Sequence, residues 1–326
     1  MINKLSIAGN SRKVRPKILV ILGPTGSGKS ELAIQMAKKF NGEVISADSR
    51  QVYRELNIGT GKIPCERCQV PGVRCQVNKY YYKGIRHHLI DVASVKKVFS
   101  VAVYKRMAEK AIKDIWRRGR LPIICGGTGL YIDTLLGERT FPEVKPNPLL
   151  RRKLERKTTE ELFRGLKKLD PRRAENIDQH NRRRLVRAIE IAIQTGKSSY
   201  SSVLENIRID KYQALKIGLK IDGRKLKNII RKRLMEWLRR GLVIEVQGLK
   251  KSGVSEKRLK EIGMEYPIVN LFLEEKISRE EMIEKSVVEI WRYAKRQMTW
   301  FRRDKNIVWI SRKSEVEKLV RKLLDD

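Results

Sequence analysis

The chain has 326 residues, of which 41% are hydrophobic, so it can bury a core and is not expected to be disordered. Its 73 Lys and Arg residues against 37 Asp and Glu give a net charge of +36. A globular protein this basic typically binds a polyanion such as nucleic acid, whereas the alternative, a thermophilic surface, usually balances Lys with Glu.

The first half of the chain alternates short apolar runs with amphipathic stretches. This alternation predicts an α/β fold with a parallel sheet and helices on both of its faces. Strands are predicted at Lys17–Leu22, Glu43–Asp48, His87–Val92 and Leu121–Gly127, and helices at Lys29–Phe40 and Val101–Arg118.

The pattern changes after about Gly137, where the proline-rich stretch FPEVKPNP leads into polar, basic and mostly helical sequence up to Lys197. The apolar pattern then returns, with strands predicted at Ala214–Ile221 and Ile307–Ile310 and helices at Arg224–Arg240 and Glu280–Phe301. The predicted domains are therefore an α/β core, residues 15–137 and 205–326, and a basic helical insertion, residues 138–204.

The amino-terminal stretch and the cysteines bear on location and metal binding. The first 17 residues are basic, and the following ILVIL is too short for a signal-peptide core; a plain basic tail is favoured over an organelle transit peptide. No apolar run approaches a membrane span, so no membrane contact is expected, and the few cysteines and lack of an export signal predict a cytoplasmic protein. Cys65, Cys68 and Cys75 leave open a zinc site completed by His87 or His88, although an inserted loop with incidental thiols is the favoured interpretation.

The stretch GPTGSGKS, Gly23–Ser30, follows the first predicted strand and begins the first predicted helix. It fits the phosphate-binding loop pattern G-x-x-x-x-G-K-[ST] in the context that supports it. Glycines let backbone N–H groups face phosphate oxygens, Lys29 adds a charge, and the Ser30 hydroxyl suits Mg²⁺. The loop therefore predicts a phosphate or diphosphate ligand without identifying it.

Two further side chains are expected near this loop. Asp48 follows the second predicted strand, at the carboxyl edge where open α/β sheets bind ligands. It can coordinate Mg²⁺ or accept a proton from a substrate, or it can simply cap the following turn with help from Ser49. Thr128, in GGTGLY, offers a hydroxyl at the same edge or an N-cap for the next helix.

Taken together, these stretches resemble one enzyme family. GPTGSGKS, ISADSRQVYRELNIGTGK, HHLIDV, GGTGLY, NRRRLVRAIE and YAKRQMTWFRRD occur in the order of the bacterial tRNA dimethylallyltransferases. The resemblance runs from about Lys17 to about Ile310. It implies a P-loop NTPase-like core with an inserted helical domain. It also implies transfer of a dimethylallyl group from dimethylallyl diphosphate to N6 of adenosine 37 in tRNA, with Mg²⁺ as cofactor.

The resemblance also implies residue roles. Asp48 is the expected general base, with Thr128 and Lys29 as further catalytic residues and Ser30 as the Mg²⁺ ligand. The anticodon stem-loop of tRNA is the expected partner, and the family expectation is a monomer. The donor diphosphate is expected to contact Gly23, Pro24, Thr25, Gly26, Ser27, Gly28, Lys29, Ser30 and Arg233. The tRNA is expected to contact Asp48, Ser49, Arg50, Gln51, Thr128, Arg151, Arg183, Arg184, Leu185, Val186 and Arg187.

Several stretches depart from the family pattern. Residues 64–84 are longer than the family linker, and GMEYPIV replaces a shorter Gly-Tyr segment. Ile229 stands where the family usually has an arginine, so Arg231 or Lys232 is a candidate substitute. In YAKRQMTWFRRD, Trp300 and Phe301 are expected in the core and the basic residues on RNA.

Two other functions fit parts of the pattern. A P-loop ATP-dependent small-molecule kinase would use Asp48 as acceptor base, but it would leave the charge of +36 without explanation. A non-catalytic RNA-binding protein with a degenerate pocket would explain the charge and the isoleucine at position 229. Prenyl transfer accounts for the most features.

Overall fold

The computed structural model describes residues 15–66, 80–139, 141–142, 144–196, 211–312 and 314–325. Among these residues, seven strands form one sheet in the order β3-β4-β2-β5-β1-β6-β7. All neighbouring strands run parallel except β3 and β4, which form an antiparallel pair. The strands are β1 (Lys17–Leu22), β2 (Gly42–Ser46), β3 (Tyr80–Tyr82), β4 (Ile85–His88), β5 (Leu121–Gly126), β6 (Gln213–Leu219) and β7 (Ile307–Ile310).

The predicted parallel α/β sheet is thus confirmed, with one strand misplaced and one missed. The strand predicted over His87–Val92 ends at His88, because Leu89 and Asp91 have φ values of 62° and 58° in the left-handed region. The antiparallel strand at Tyr80–Tyr82 was not predicted.

The described residues group into two compact units. The first contains those up to Leu135 and those from Lys211 onward, and the second those between Leu136 and Asp210. The predicted domain limits and roles stay a prediction. In the first unit the helices are α1 (Lys29–Lys39), α2 (Val101–Arg117), α3 (Gly129–Leu135), α8 (Gly223–Arg239), α9 (Leu242–Lys251), α10 (Glu256–Ile262), α11 (Glu265–Leu273), α12 (Arg279–Phe301) and α13 (Ser314–Asp325).

The central strands are buried on both faces, as their unbroken apolar sequences require. Leu19 and Ile21 of β1 pack in one cluster with residues of α1 and α13. Alternation along the strand sends Ile18 and Val20 to the opposite face, where both are fully buried. A second core, built from α8 to α12, surrounds Trp237 and also contains residues that follow β2.

The start of β2 is fixed by a buried carboxylate. The Glu43 side chain is 1% exposed and accepts hydrogen bonds from Arg118 (Nη2–Oε2 2.9 Å) and Arg120 (Nη1–Oε1 2.9 Å). The His88 Nε2 lies 2.7 Å from Glu43 Oε2. Because a buried charge is costly unless it is paired, these partners are what allow a carboxylate at this position.

The second unit is a small helical bundle. Its helices α4 (Pro148–Leu154), α5 (Thr159–Leu169), α6 (Pro171–Glu175) and α7 (Arg182–Thr195) enclose a leucine-rich core. Helix α5 begins with a complete capping box between Thr158 and Glu161.

Metal binding by the cysteines stays open. Cys65 is buried against Tyr80 and Ile90, whereas Cys68 and Cys75 lie outside the described residues. Within the described part of the chain, no cluster of three His, Cys, Asp or Glu side chains is arranged to hold a metal ion. No helix among these residues is long and apolar enough to cross a membrane.

Candidate active site

A cavity of about 340 Å³ lies at the carboxyl ends of β1, β2 and β5. Open α/β sheets bind their ligands at this edge. The phosphate loop, Asp48, the segment after β2 that includes Gly61, and the inner face of α8 line it. The structure therefore brings the predicted Lys29, Ser30 and Asp48 together in one cavity.

The phosphate loop takes its shape from three glycines. Gly23, Gly26 and Gly28 have φ values of 146°, 82° and 84°, which side chains with a Cβ rarely adopt. Gly28 is the N-cap of α1 and has no side chain to accept from the first amides of the helix. These amides, together with the helix dipole, form an anion site.

Lys29 is half-buried within this loop. Its Nζ donates to the Pro24 carbonyl oxygen at 2.8 Å. Burial lowers the pKa of Lys29 to about 8, although Cys125 and Asp48 oppose the shift. The ammonium is thus positioned by the loop itself and is charged at neutral pH.

Asp48 both caps the turn after β2 and lines the cavity. Its Oδ1 accepts from the backbone N–H groups of Arg50 (2.9 Å) and Gln51 (3.3 Å). This is the turn-capping role that the sequence left open. The carboxylate nevertheless lines the cavity, so the turn orients a group that is available to a ligand.

The loop after β5 joins the segment after β2. Thr128 Oγ1 accepts from the backbone N–H of Ser49 at 3.0 Å, and the backbone N–H of Thr128 donates to Ala47 at 3.1 Å. Tyr293 of α12 lies nearby, and burial, followed by the charge of Asp48, raises the pKa of Tyr293 to about 12. Thr128 is therefore held beside Asp48 by two contacts with the segment after β2.

Arg50 faces inward. Its side chain is only 11% exposed, and Nη1 donates to the fully buried Glu265 at 3.0 Å. Its Nη2 donates to the Gly59 carbonyl at 3.3 Å. The predicted contact of Arg50 with a nucleotide is thus not favoured for its guanidinium, which anchors the segment after β2. Gln51, by contrast, lines the cavity.

Arg233 supplies the second cation of the cavity. Its Nη1 donates to Thr25 Oγ1 at 3.2 Å, and its guanidinium lies 4.7 Å from the ring centroid of Trp237. Gly61 makes room for it, because a Cβ at position 61 would lie 1.4 Å from Arg233 Nη2. Burial, and then the nearby Arg50, lower the pKa of Arg233.

A family model described as IPP transferase matches residues 51–304. The tRNA dimethylallyltransferase of Anoxybacillus flavithermus is 39% identical over 294 residues, which cover 90% of this chain and 89% of that protein. The chain belongs to the IPP transferase family. This membership does not favour the small-molecule kinase that the phosphate loop left open.

Solved structures of IPP transferases have the same fold. The full-length tRNA isopentenylpyrophosphate transferase of Bacillus halodurans is 32% identical, with a TM-score of 0.68 and coverage of 95% of this chain and 97% of that one. A eukaryotic dimethylallyltransferase acting on tRNA is 29% identical, with a TM-score of 0.74 over 87% of this chain and 69% of that one. The predicted P-loop NTPase-like core is confirmed by these likenesses.

Ile229, for which the family resemblance implies an arginine, lies in the cavity. Ile229 lines the cavity one helical turn before Arg233 and packs near Gly26. Neither proposed substitute takes its place: Arg231 pairs with Glu284 at 2.5 Å outside the cavity lining, and Lys232 is exposed. Arg233 is the arginine that α8 contributes to this cavity.

In the helical unit, a buried carboxylate holds two of the predicted tRNA-binding arginines. Glu190, fully buried, accepts from Arg151 Nη2 at 2.7 Å and Arg187 Nη1 at 2.5 Å. Burial alone would raise the pKa of Glu190, but hydrogen bonds from Arg151, Asn147 and Arg187 lower it. Both arginines keep more than a third of their side-chain surface exposed, with 39% and 34%.

The other predicted tRNA contacts on α7 differ in exposure. Arg183 and Arg184 are exposed at the start of the helix, and Val186 is half-buried. Leu185 is fully buried in the leucine-rich core. A side-chain contact between Leu185 and RNA is therefore not favoured, because helical periodicity turns it away from its basic neighbours.

The structure adds residues that the sequence did not single out. Gly61 and Gln297 contact the predicted groups from distant parts of the chain, and Cys125 lines the cavity. Glu245 of α9 accepts from the backbone N–H groups of Asn57 and Ile58 at 2.7 and 2.8 Å. Of these residues, Gly61 and Gln297 could have been found from the sequence, because they lie in NIGTGK and KRQMTW, within stretches that are specific to the family resemblance.

Proposed function

We propose that this chain transfers a dimethylallyl group from dimethylallyl diphosphate to N6 of adenosine 37 in tRNA, releasing diphosphate. One observation carries the proposal: in a member of the IPP transferase family, a phosphate loop and a carboxylate line the same cavity. The loop accounts for a leaving diphosphate and the carboxylate for an amine that must lose a proton.

The donor diphosphate is proposed to lie against the start of α1. Backbone N–H groups from Gly26 to Ser30, the Lys29 ammonium and the Arg233 guanidinium supply positive charge there. Thr25 contributes less through its backbone, since its N–H already donates to Gln297 at 2.9 Å. These fixed donors favour the charge that builds on the leaving oxygens as the carbon–oxygen bond breaks.

Mg²⁺ is the proposed cofactor, and the cavity fits it. The Ser30 hydroxyl is an oxygen ligand of the kind Mg²⁺ prefers, and it lines the cavity beside the start of α1. Burial raises the pKa of the neighbouring Cys125 to about 11, so this residue remains a thiol and does not present a soft thiolate. When bound by Ser30, the ion would neutralise charge on the diphosphate.

Asp48 is the proposed general base. An exocyclic adenine amine is a weak nucleophile, because its lone pair is delocalised into the ring. As N6 bonds to the allylic carbon, the carbon–oxygen bond to diphosphate breaks and the N6 proton passes to Asp48. The backbone N–H bonds on Oδ1 hold the carboxylate during the transfer, and Thr128 stays beside it through Ser49.

The tRNA is proposed to approach through its anticodon stem-loop. Position 37 lies in a single-stranded loop, where turning a base out of its stack costs less than in a duplex. Arg151, Arg183, Arg184 and Arg187 form the proposed phosphate contacts of the helical unit, and we expect the protein to act as a monomer. The net charge of +36 supports such an electrostatic contribution.

Mass spectrometry of nucleosides from tRNA incubated with the protein and dimethylallyl diphosphate tests this proposal. We expect N6-dimethylallyl adenosine at position 37, dependent on the donor and absent with Lys29→Ala. A parallel reaction with ATP should give no nucleotide-dependent product. Unmodified tRNA with the wild-type protein, or transfer of phosphate from ATP, would contradict the proposal.

A further inference from the structure

Gln297 connects two loops that are far apart in the sequence. Its side chain is 6% exposed and lies on α12. Oε1 accepts from the backbone N–H of Thr25 in the phosphate loop at 2.9 Å. Nε2 donates to the backbone carbonyl of Gly127, beside Thr128, at 2.8 Å. One amide thus joins the loop after β1 to the loop after β5.

The two partners determine which way the amide faces. The Thr25 N–H can only donate and the Gly127 carbonyl can only accept, so one orientation satisfies both. The contact at residue 127 needs a glycine, because a Cβ there would lie 2.0 Å from Nε2. A buried amide with both ends satisfied holds its neighbours in one arrangement.

Tyr293 extends the connection to the acceptor side. It lies one helical turn before Gln297 on α12, close to both Gln297 and Thr128, and both residues oppose the rise of its pKa. Thr128 in turn accepts from Ser49, next to Asp48. The hydrogen bonds of Gln297 therefore link the phosphate loop to Gly127, and the next residue, Thr128, bonds to the segment that carries the proposed base.

We propose that Gln297 is a positioning residue, which sets the separation between the phosphate loop and the Thr128 loop and thereby couples the donor site to the acceptor site. The inference rests on the proposed function and concerns residues that do not carry out the chemistry. Transfer requires the allylic carbon and N6 to meet at van der Waals distance. A shift of about 1 Å between the two loops can therefore lower the rate by about 100-fold.

Two substitutions test the two ends of the amide. Gln297→Met keeps the length of the side chain and removes both hydrogen bonds. Gln297→Glu keeps an acceptor for Thr25 but places a second oxygen against the Gly127 carbonyl, which only a protonated carboxyl group can satisfy. Gln297→Glu should thus recover activity as the pH falls, whereas Gln297→Met should not.

Kinetics with wild-type protein provide the reference. For Gln297→Met we expect kcat/KM for the donor to fall about 10- to 100-fold. The fall should appear in both kcat and the KM for the donor, while the Kd for tRNA stays within about twofold. Asn270→Leu is the matched control, since Asn270 is also a buried amide but donates to Glu274, and its donor kinetics should stay unchanged.

The outcomes separate this inference from the proposed function. If wild-type protein makes no prenylated adenosine, the proposed function is wrong. If it does, and folded Gln297→Met keeps kcat and donor KM within about twofold of wild type, the inference is overturned. Should Gln297→Met fail to fold, Gln297→Glu decides: a pH profile parallel to that of the wild type also overturns the inference, and recovery toward acid pH supports it.

Discussion

The donor cavity and the helical unit use charge in opposite ways. Around the cavity, Lys29 and Arg50 are half-buried, and each donates to a fixed partner in the surrounding loops or helices. In the helical unit, Arg151 and Arg187 contact one buried carboxylate but remain more than a third exposed. The first arrangement places atoms precisely for a small donor, and the second presents charge to a large polyanion.

This difference follows from what each region is proposed to bind. A bond-forming step needs groups held within a fraction of an ångström, and buried hydrogen bonds provide that order. Phosphate contacts with RNA act over longer distances and are weakened by salt, so partly exposed arginines are sufficient. The comparison leads to the following predictions, in decreasing order of expected effect.

Asp48→Asn should show the largest effect. The amide oxygen can still accept from the N–H groups of Arg50 and Gln51, so the turn is kept while the base is lost. Single-turnover prenyl transfer should fall about 10²- to 10⁴-fold. The Kd for tRNA, measured by fluorescence anisotropy, should change by less than about threefold. A variant that transfers at the wild-type rate would rule out Asp48 as the base.

Gly61→Ala should damage the donor site by a steric clash. Its Cβ would occupy the position of Arg233 Nη2 and displace the guanidinium. We expect the KM for the donor to rise about 10- to 100-fold, measured at saturating tRNA. Gly84→Ala is the matched control, because Gly84 has a similar φ of 74° but a Cβ there meets nothing within 4 Å. Equal effects of both substitutions would point to backbone strain instead.

Sequence patterns predicted those parts of the cavity that are built from residues close together in the chain. Strands β1 and β5, the phosphate loop and Asp48 follow from short apolar runs and a loop pattern, each within a few residues. The Gln297–Thr25 bond joins residues 272 positions apart, and the Arg233–Gly61 contact depends on how α8 packs. No local pattern contains such pairings.

The end of β4 and the inward-facing Arg50 show two further limits. Leu89 continues an apolar run, so the sequence favoured a longer strand, but its left-handed backbone ends the strand. Arg50 was expected to face a nucleotide, yet Glu265, 215 residues away, pairs with it in the core. At the end of β4 the tertiary surroundings outweigh the local preference, whereas the role of Arg50 was implied by the family resemblance and its nucleotide contact stays a prediction.

Donor affinity should depend on pH through Lys29. Its pKa of about 8 in the free protein should rise when a diphosphate binds, so the complex retains a proton that the free protein loses. The Kd for the donor, measured by calorimetry without tRNA, should be constant just below pH 8 and increase by up to about tenfold per pH unit above it. Lys29→Arg stays charged, so an equally steep dependence in that variant would assign the effect to another group.

The lowered pKa of Lys29 also affects folding stability, which should increase with pH where donor affinity decreases. Between pH 8 and the ordinary lysine value of 10.5, the folded protein has released the Lys29 proton and the unfolded chain still holds it. The contribution of Lys29 to the free energy of unfolding should therefore increase with pH in this window. Urea unfolding of wild type and Lys29→Met across that range measures it.

Glu190→Gln should show the smallest effect, confined to RNA binding. An amide has one acceptor oxygen in place of two, so it cannot replace both the bonds to Oε2 from Arg151 Nη2 and Arg187 Nη1 and those to Oε1 from Arg151 Nε and the Asn147 N–H, and the arginines lose part of their fixed orientation. We expect the Kd for tRNA to rise about threefold to tenfold, with an unchanged KM for the donor. The exposed Glu175→Gln makes the same change in net charge and should leave the Kd unchanged or lower it slightly.

The ion cluster around Glu43 has a consequence for how this protein tolerates mutation. Strand β2 begins at that cluster and ends two residues before Asp48, so both ends of the segment that carries the base are held. At about 3.3 Å per residue, the cluster lies roughly 17 Å from the carboxylate. A genetic screen for impaired turnover should therefore recover changes at Arg118 and Arg120, far from any substrate, and an alignment of active variants should show those positions varying together with residue 43.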